Sequence, residues 1–230
     1  MGVLILFQER IKLLTFDCYG TLIDWRTGIR AYLKDLLIKK GATISLDEFY
    51  DHWYKVKLKI MAGSFHLYKD VLQQSLKQAL KDYNLKVETE DGEDFGETMK
   101  TWEPFAESKS VLKLLSKHYA LGTISNCQND IIKHAVKKLG NPFTYIITAE
   151  DARSYKPNAR PFQLILEKAK VKSSEVFHTA QSQDVDLPRS KPMGIRTAWI
   201  NRHNLTLDSG TPIPDYEFTN LNPLLELLKC

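Results

Sequence analysis

The stretch Lys12–Asp24 reads K-L-L-T-F-D-C-Y-G-T-L-I-D, and the order of residue types in it decides the fold. Leu13–Phe16 form a short apolar run closed by turn-forming residues, the pattern of a buried strand. Asp17 stands where that strand stops, and the chain must turn at Gly20. In an open α/β sheet ligands bind outside the carboxyl ends of the strands, so an acid placed there is a candidate nucleophile. Thr21 follows at a spacing that lets its hydroxyl reach back toward the carboxylate or a bound anion. Taken alone, an acid that ends a strand is more often a turn-former than a catalyst, and the rest of the chain has to decide.

Outward from this stretch the pattern changes period. From Trp25 to Trp102 apolar residues recur at three- and four-residue steps over Ile29–Lys39, Leu46–Met61 and Tyr68–Tyr83, which predicts three helices. Lys40-Gly41 and Met61-Ala62-Gly63-Ser64 separate them, Glu88–Gly96 reads as a loop or capped helix start, and Glu103-Pro104 turns the chain back. Beyond that, helix and strand patterns alternate: Ser108–Lys117, Ala120–Ile124, Asp130–Leu139, Tyr145–Thr148, Pro161–Ala169, Val176–Thr179, Ser190–Met193 and Thr197–Ile200. Tyr216–Leu228 closes the chain as a short strand and a helix. Such alternation predicts an α/β protein with parallel strands and helices on both faces.

The bulk numbers agree. A chain of 230 residues with 43% hydrophobic content can bury a full core and suits one α/β domain carrying an inserted module. A net charge of +4, with Lys and Arg dispersed among Asp and Glu, argues against a nucleic-acid partner. The apolar run Val3–Phe7 is broken by Gln8, Glu9, Arg10 and Lys12 well short of a membrane span, so no membrane association and a cytoplasmic location are expected. Three scattered cysteines form neither a disulfide framework nor a zinc site.

Four stretches fall in the order and spacing of a known family. Asp17–Thr21 resembles the D-x-x-G-T first motif of the haloacid dehalogenase superfamily, Thr123–Asn126 (T-I-S-N) its second, and Ser154–Pro157 (S-Y-K-P) its third. Val176–Ile195 is similar to its fourth. The resemblance implies a Rossmann-like core made of residues 1–24 and 103–230, with a helical cap over 25–102 inserted after the first motif. It implies that Asp17 is covalently modified during turnover and that Lys156 holds it ionised and oriented. Thr21, Ser125 and Asn126 would orient the reacting groups, and Asp186 would position the hydrolytic water or fix Lys156. Helix capping for the first three and a surface acid for Asp186 are the plainer readings.

Two departures point to one branch. Tyr19 stands where superfamily phosphatases place an acid that protonates a leaving alkoxide, a proton that a departing halide does not need. Ala180, Gln181 and Ser182 replace Gly-Asp-Ser, so a neutral Gln181 occupies a carboxylate position of a Mg²⁺ site. Both departures are shared with the 2-haloacid dehalogenases, which work without metal or other cofactor. The resemblance therefore implies halide release from a short 2-haloalkanoic acid. A Mg²⁺-dependent phosphatase, with Asp184 and Asp186 restoring the metal site, and a binding member of weak activity stay as alternatives. Tyr19, Trp25, Gln181 and Ser182 are the candidate substrate contacts, with Trp53 and Phe65 as further apolar wall. The cap Arg that this branch usually carries is replaced by Tyr54, which leaves Lys55, Lys57, Arg26 or Arg30 to grip the carboxylate; Arg26, at the hinge after the first motif, is preferred over Lys57. A homodimer through the cap is the assembly that the resemblance suggests.

Overall fold

The computed structural model describes residues 11–230, so the Val3–Phe7 run lies outside the described residues. The strands are β1 (Leu13–Phe16), β2 (Ala120–Ser125), β3 (Tyr145–Thr148), β4 (Val176–Ala180), β5 (Arg196–Ile200) and β6 (Tyr216–Phe218). They form one parallel sheet in the order β3-β2-β1-β4-β5-β6. The chain winds from β1 outward to β3, crosses over, and winds outward again from β4. This crossover puts the switch in winding direction at β1 and β4, the position where open α/β sheets leave a crevice at their carboxyl ends. Phe16 is in register with Thr123 of β2 and Thr179 of β4, so the residues leaving these three strands emerge together.

Strand β1 is buried on both faces. Leu13 packs with Ile124, Val176, Phe162 and Ile165, whereas Leu14 and Phe16 belong to a second cluster with Leu121, Ile131 and Phe177. Each such side chain contributes about 1.5–3 kcal/mol by leaving water, and the alternation dictates helices on both sides. Gly122 shows how closely they approach, since a Cβ there would lie 2.6 Å from Ile165 Cδ1.

Helices α1 (Trp25–Lys39), α2 (Leu46–Met61), α3 (Tyr68–Asp82) and the short α4 (Phe95–Thr98) lie between β1 and β2. The remainder are α5 (Ser108–Leu115), α6 (Asn129–Lys138), α7 (Ala149–Ala152), α8 (Arg160–Ala169), α9 (Leu187–Ser190) and α10 (Pro223–Leu227), with a 3₁₀ turn at Ser173–Glu175. Helix α1 begins four residues earlier than its apolar periodicity, because Asp24 caps it by accepting from the Thr27 N–H at 3.1 Å. Ser45 caps α2 in the same way. The buried face of α2 repeats every four residues as Phe49, Trp53, Lys57 and Met61, and the Trp53 indole donates to Ser75 Oγ of α3 at 3.0 Å. The helix expected over Ser190–Met193 instead occupies Leu187–Ser190. Pro188 sits in its first turn, where a missing N–H costs nothing. No helix among the described residues is long and apolar enough to cross a membrane.

Candidate active site

Asp17 leaves β1 with its N–H bonded to Thr179 O at 3.0 Å, which seats it between β1 and β4. Its two carboxylate oxygens have separate partners: Lys156 Nζ donates to Oδ1 at 2.8 Å, and the Thr21 hydroxyl donates to Oδ2 at 2.8 Å. Thr21 Oγ1 in turn accepts the Gln181 N–H at 2.8 Å, so the loops after β1 and β4 are tied through one hydroxyl. Gly20 makes this turn at φ +102°, and a Cβ on it would lie 2.7 Å from Trp25 Nε1 and 2.9 Å from Gln181 Oε1. Only glycine satisfies both demands.

Lys156 is buried and uses all three of its donors, on Asp17 Oδ1 at 2.8 Å, Asp186 Oδ1 at 2.7 Å and Ile124 O at 2.9 Å. Asn126 fixes its backbone from both sides, accepting the Lys156 N–H at 2.7 Å and donating to Lys156 O at 3.0 Å. Asp186 is wholly buried and also meets His178 Nε2 at 3.1 Å. A carboxylate only accepts, so this nitrogen carries the proton; His178 Nδ1 lies 2.9 Å from Thr15 Oγ1. Burial pushes the Asp17 carboxyl up, against the pull of Lys156. Burial works against Asp186 as well, yet Lys156 and His178 hold it below its ordinary value. Lys156 stays above its ordinary value despite burial because Asp17 and Asp186 flank it.

Asp17 opens into a cavity of about 70 Å³. Tyr19, Ser125, Asn126, Lys156, Gln181 and Ser182 line it from the sheet side. Trp25 of α1, Tyr54, Lys57, Leu58 and Met61 of α2, and Tyr68 of α3 line it from the helices above. Thr21 and Asp186 act from behind this surface, through Asp17 and Lys156. Ser182 Oγ accepts the Asp184 and Val185 N–H groups at 3.2 Å each and so also shapes the turn. Trp53 and Phe65 stand outside the lining.

Arg26 is where the structure departs from the sequence reading. It does not line the cavity; its guanidinium lies 5.9 Å from the centroid of the Tyr50 ring. Arg30 is spent on an ion pair with Asp47 at 2.6 Å, and Lys55 is exposed. The cation that reaches the cavity from the helices is Lys57, because position 57 continues the buried Phe49–Trp53 stripe of α2 while position 26 falls on another face of α1. Tyr54, in place of the expected Arg, donates its hydroxyl to Asp184 Oδ2 at 3.1 Å. Asp184 is exposed and Asp186 is buried against Lys156, so the two acids face different partners. Among the described residues no group of three or more His, Cys, Asp or Glu is gathered to hold a metal ion. The sequence does not single out His178, Tyr68 or Met61 as site residues; for Met61 the four-residue stripe on α2 is the signal that finds it.

A parallel sheet with an Asp–Lys–Asp centre at its carboxyl edge, roofed by helices inserted after β1, defines a capped Rossmann-like α/β hydrolase. The chain belongs to the haloacid dehalogenase-like hydrolase family, whose model matches residues 14–200. It is 26% identical over 229 residues to (S)-2-haloacid dehalogenase 4A of Burkholderia cepacia, covering 95% of this chain and 94% of that one. It is 23% identical over 224 residues to haloacetate dehalogenase H-2 of Moraxella sp. (strain B), covering 96% and 99%. The fold matches that of L-2-haloacid dehalogenase from Xanthobacter autotrophicus with chloropropionic acid covalently bound, at a TM-score of 0.81 and 18% identity over 95% of this chain and 98% of that one.

Proposed function

We propose that the protein is a metal-independent 2-haloacid dehalogenase that works through an ester on Asp17. The observation that carries this reading is the Asp17 carboxylate itself. It is held at both oxygens, opens into a small cavity, and has Tyr19 rather than an acid two residues on. An Asp17 oxygen attacks the halogen-bearing carbon from the side opposite the halogen, the new C–O bond forms, and the C–X electron pair leaves with the halide. Water then attacks the Asp17 carbonyl carbon, which returns the carboxylate and releases a 2-hydroxy acid and a proton. Lys156 stabilises the oxyanion of that second step from a fixed position, and Asp186 supports Lys156 rather than the water, since it does not line the cavity. The covalent adduct in the Xanthobacter protein and the names of the two curated relatives favour the same chemistry.

A cavity needs about 10–15 Å³ on this scale to hold one water, so about 70 Å³ suits a two- or three-carbon acid. The division into a core of 1–24 and 103–230 and a cap of 25–102, a cytoplasmic location and pairing through the cap belong to the same proposal. Halide release from haloacetate and 2-chloropropionate, measured before and after exhaustive chelation, tests it. Equal rates are expected. Phosphate release that chelation abolishes and Mg²⁺ restores would instead establish the phosphatase reading.

A further inference from the structure

Lys57 is a buried ammonium with no direct counter-ion among the described residues. The residue is 6% exposed, and it forms no hydrogen bond or ion pair with any described residue. Its neighbours are aromatic faces: Nζ lies 4.1 Å from the Tyr54 ring centroid, 5.0 Å from Trp25 and 5.5 Å from Trp53. Such contacts are weaker than the loss of hydration that an unpaired ion suffers on burial and do not replace a counter-ion. A Leu or Met would continue the Phe49–Trp53–Met61 stripe at less cost. The ammonium lines the cavity that it shares with Asp17.

Charge in the cavity gives the same answer from the other side. Lys156 is already bonded to both Asp17 and Asp186, so this one lysine is shared between two carboxylates and has no donor free for a further anion. A second anion brought close to the Asp17 carboxylate is repelled, and more strongly at the effective dielectric of a protein site than in water. An anionic substrate approaching an anionic nucleophile therefore needs a cation not committed to Asp17, and among the lining residues Lys57 is that cation.

We infer that the aromatic-walled ammonium of Lys57 is the seat of a small monovalent anion, the substrate's carboxylate or the halide departing opposite Asp17. This rests on the dehalogenase reading for the identity of the anion, but the seat itself is a property of the free protein. Lys57 stands on the cap side and Asp17 on the sheet side of one cavity, so an acid of two or three carbons spans them. Burial lowers the Lys57 pKa to about 7, with Asp184 opposing, so the empty seat loses its charge above neutral pH. The titratable groups around it are Asp184 and Tyr54, with Asp17, Tyr19, Tyr68 and Lys156 across the cavity.

Trp25 and Trp53 flank the seat, so their fluorescence reports its occupancy by inert anions without any turnover. Propionate and bromide are titrated into the wild type and into Lys57→Met, Lys57→Arg and Arg26→Lys, and the kinetics of halide release are measured beside them. The expected result is a loss of about 10- to 100-fold in affinity for one or both anions in Lys57→Met, the size of one charge-assisted hydrogen bond. Recovery is expected in Lys57→Arg and no change in Arg26→Lys. A loss confined to propionate with raised KM identifies the carboxylate as the occupant; a loss confined to bromide with lowered kcat identifies the halide. Unchanged affinity for both anions in Lys57→Met overturns the seat even if halide release is normal. Anion binding that depends on Lys57 in a wild type releasing no halide upholds the seat and removes the dehalogenase reading.

Discussion

The sheet edge and the helical roof above it each bury one lysine, and the two are handled in opposite ways. Lys156 has every donor satisfied, two of them by carboxylates, and stays charged at any ordinary pH. Lys57 Nζ lies against three aromatic rings, has no hydrogen-bond or ion-pair partner among the described residues, and is brought to a pKa of about 7. The difference teaches what burial does to an ion: with partners already present it yields a rigid part of the machinery, and without them it leaves an appetite for a ligand. One lysine is finished by folding. The other is finished by binding.

Lys156→Met should give the largest effect. It removes the orienting charge from Asp17 and leaves two carboxylates facing each other in a buried site, so activity should be lost and stability should fall by about 3–5 kcal/mol. Denaturant unfolding beside halide release checks this, and a stable, active variant would show that the ion-paired lysine is dispensable.

Lys57→Met should do the reverse to stability, raising it by more than about 1 kcal/mol near neutral pH because an unpaired buried ion is replaced by an apolar chain. The pH dependence sharpens the contrast. The Lys57 pKa is lower in the folded protein than in the unfolded chain, about 7 against an ordinary 10.5, so between these values the unfolded state binds the extra proton. The Lys57 contribution therefore makes stability rise with pH across that window and reach its full benefit above it. Comparing wild type with Lys57→Met across pH 7 to about 10.5 isolates this slope. A wild type and variant with parallel stability profiles would mean that Lys57 is solvated or paired.

The contrast between the two lysines was only half visible in the sequence. Leu13–Phe16 and Tyr145–Thr148 coincide with their strands because short apolar runs closed by turn residues have few other solutions. The Asp17, Thr21, Ser125, Asn126 and Lys156 cluster was legible for a related reason, since each stands at or just beyond the end of a strand or in a motif loop whose order along the chain is fixed. Lys57 was harder. A lysine among Lys55 and Lys59 on an amphipathic helix looks solvated until the four-residue stripe is read through it, and which helix face points at Asp17 depends on how α2 packs on α3 and the sheet. Arg26 lies near Thr21 in sequence, which favours it on spacing alone, but its guanidinium lies 5.9 Å from the Tyr50 ring centroid and outside the cavity. His178 was missed because a histidine inside a buried strand gives no sign of its partners, which here come from β1 and from Asp186. Asp24 as the cap of α1 was missed as well, although an Asp before a helical run is a recognised start signal.

The claim that joins both regions is that Asp17 itself becomes bonded to the substrate carbon, and oxygen labelling tests it most directly. Turnover with excess 2-chloropropionate in ¹⁸O-enriched water, followed by mass analysis of the peptide containing Asp17, should show heavy oxygen in the Asp17 carboxylate. The hydroxy acid from a single turnover should carry an unlabelled oxygen taken from the protein. An unlabelled Asp17 peptide, with all of the heavy oxygen in the first product formed, would mean that water attacks the substrate directly and would contradict the ester mechanism.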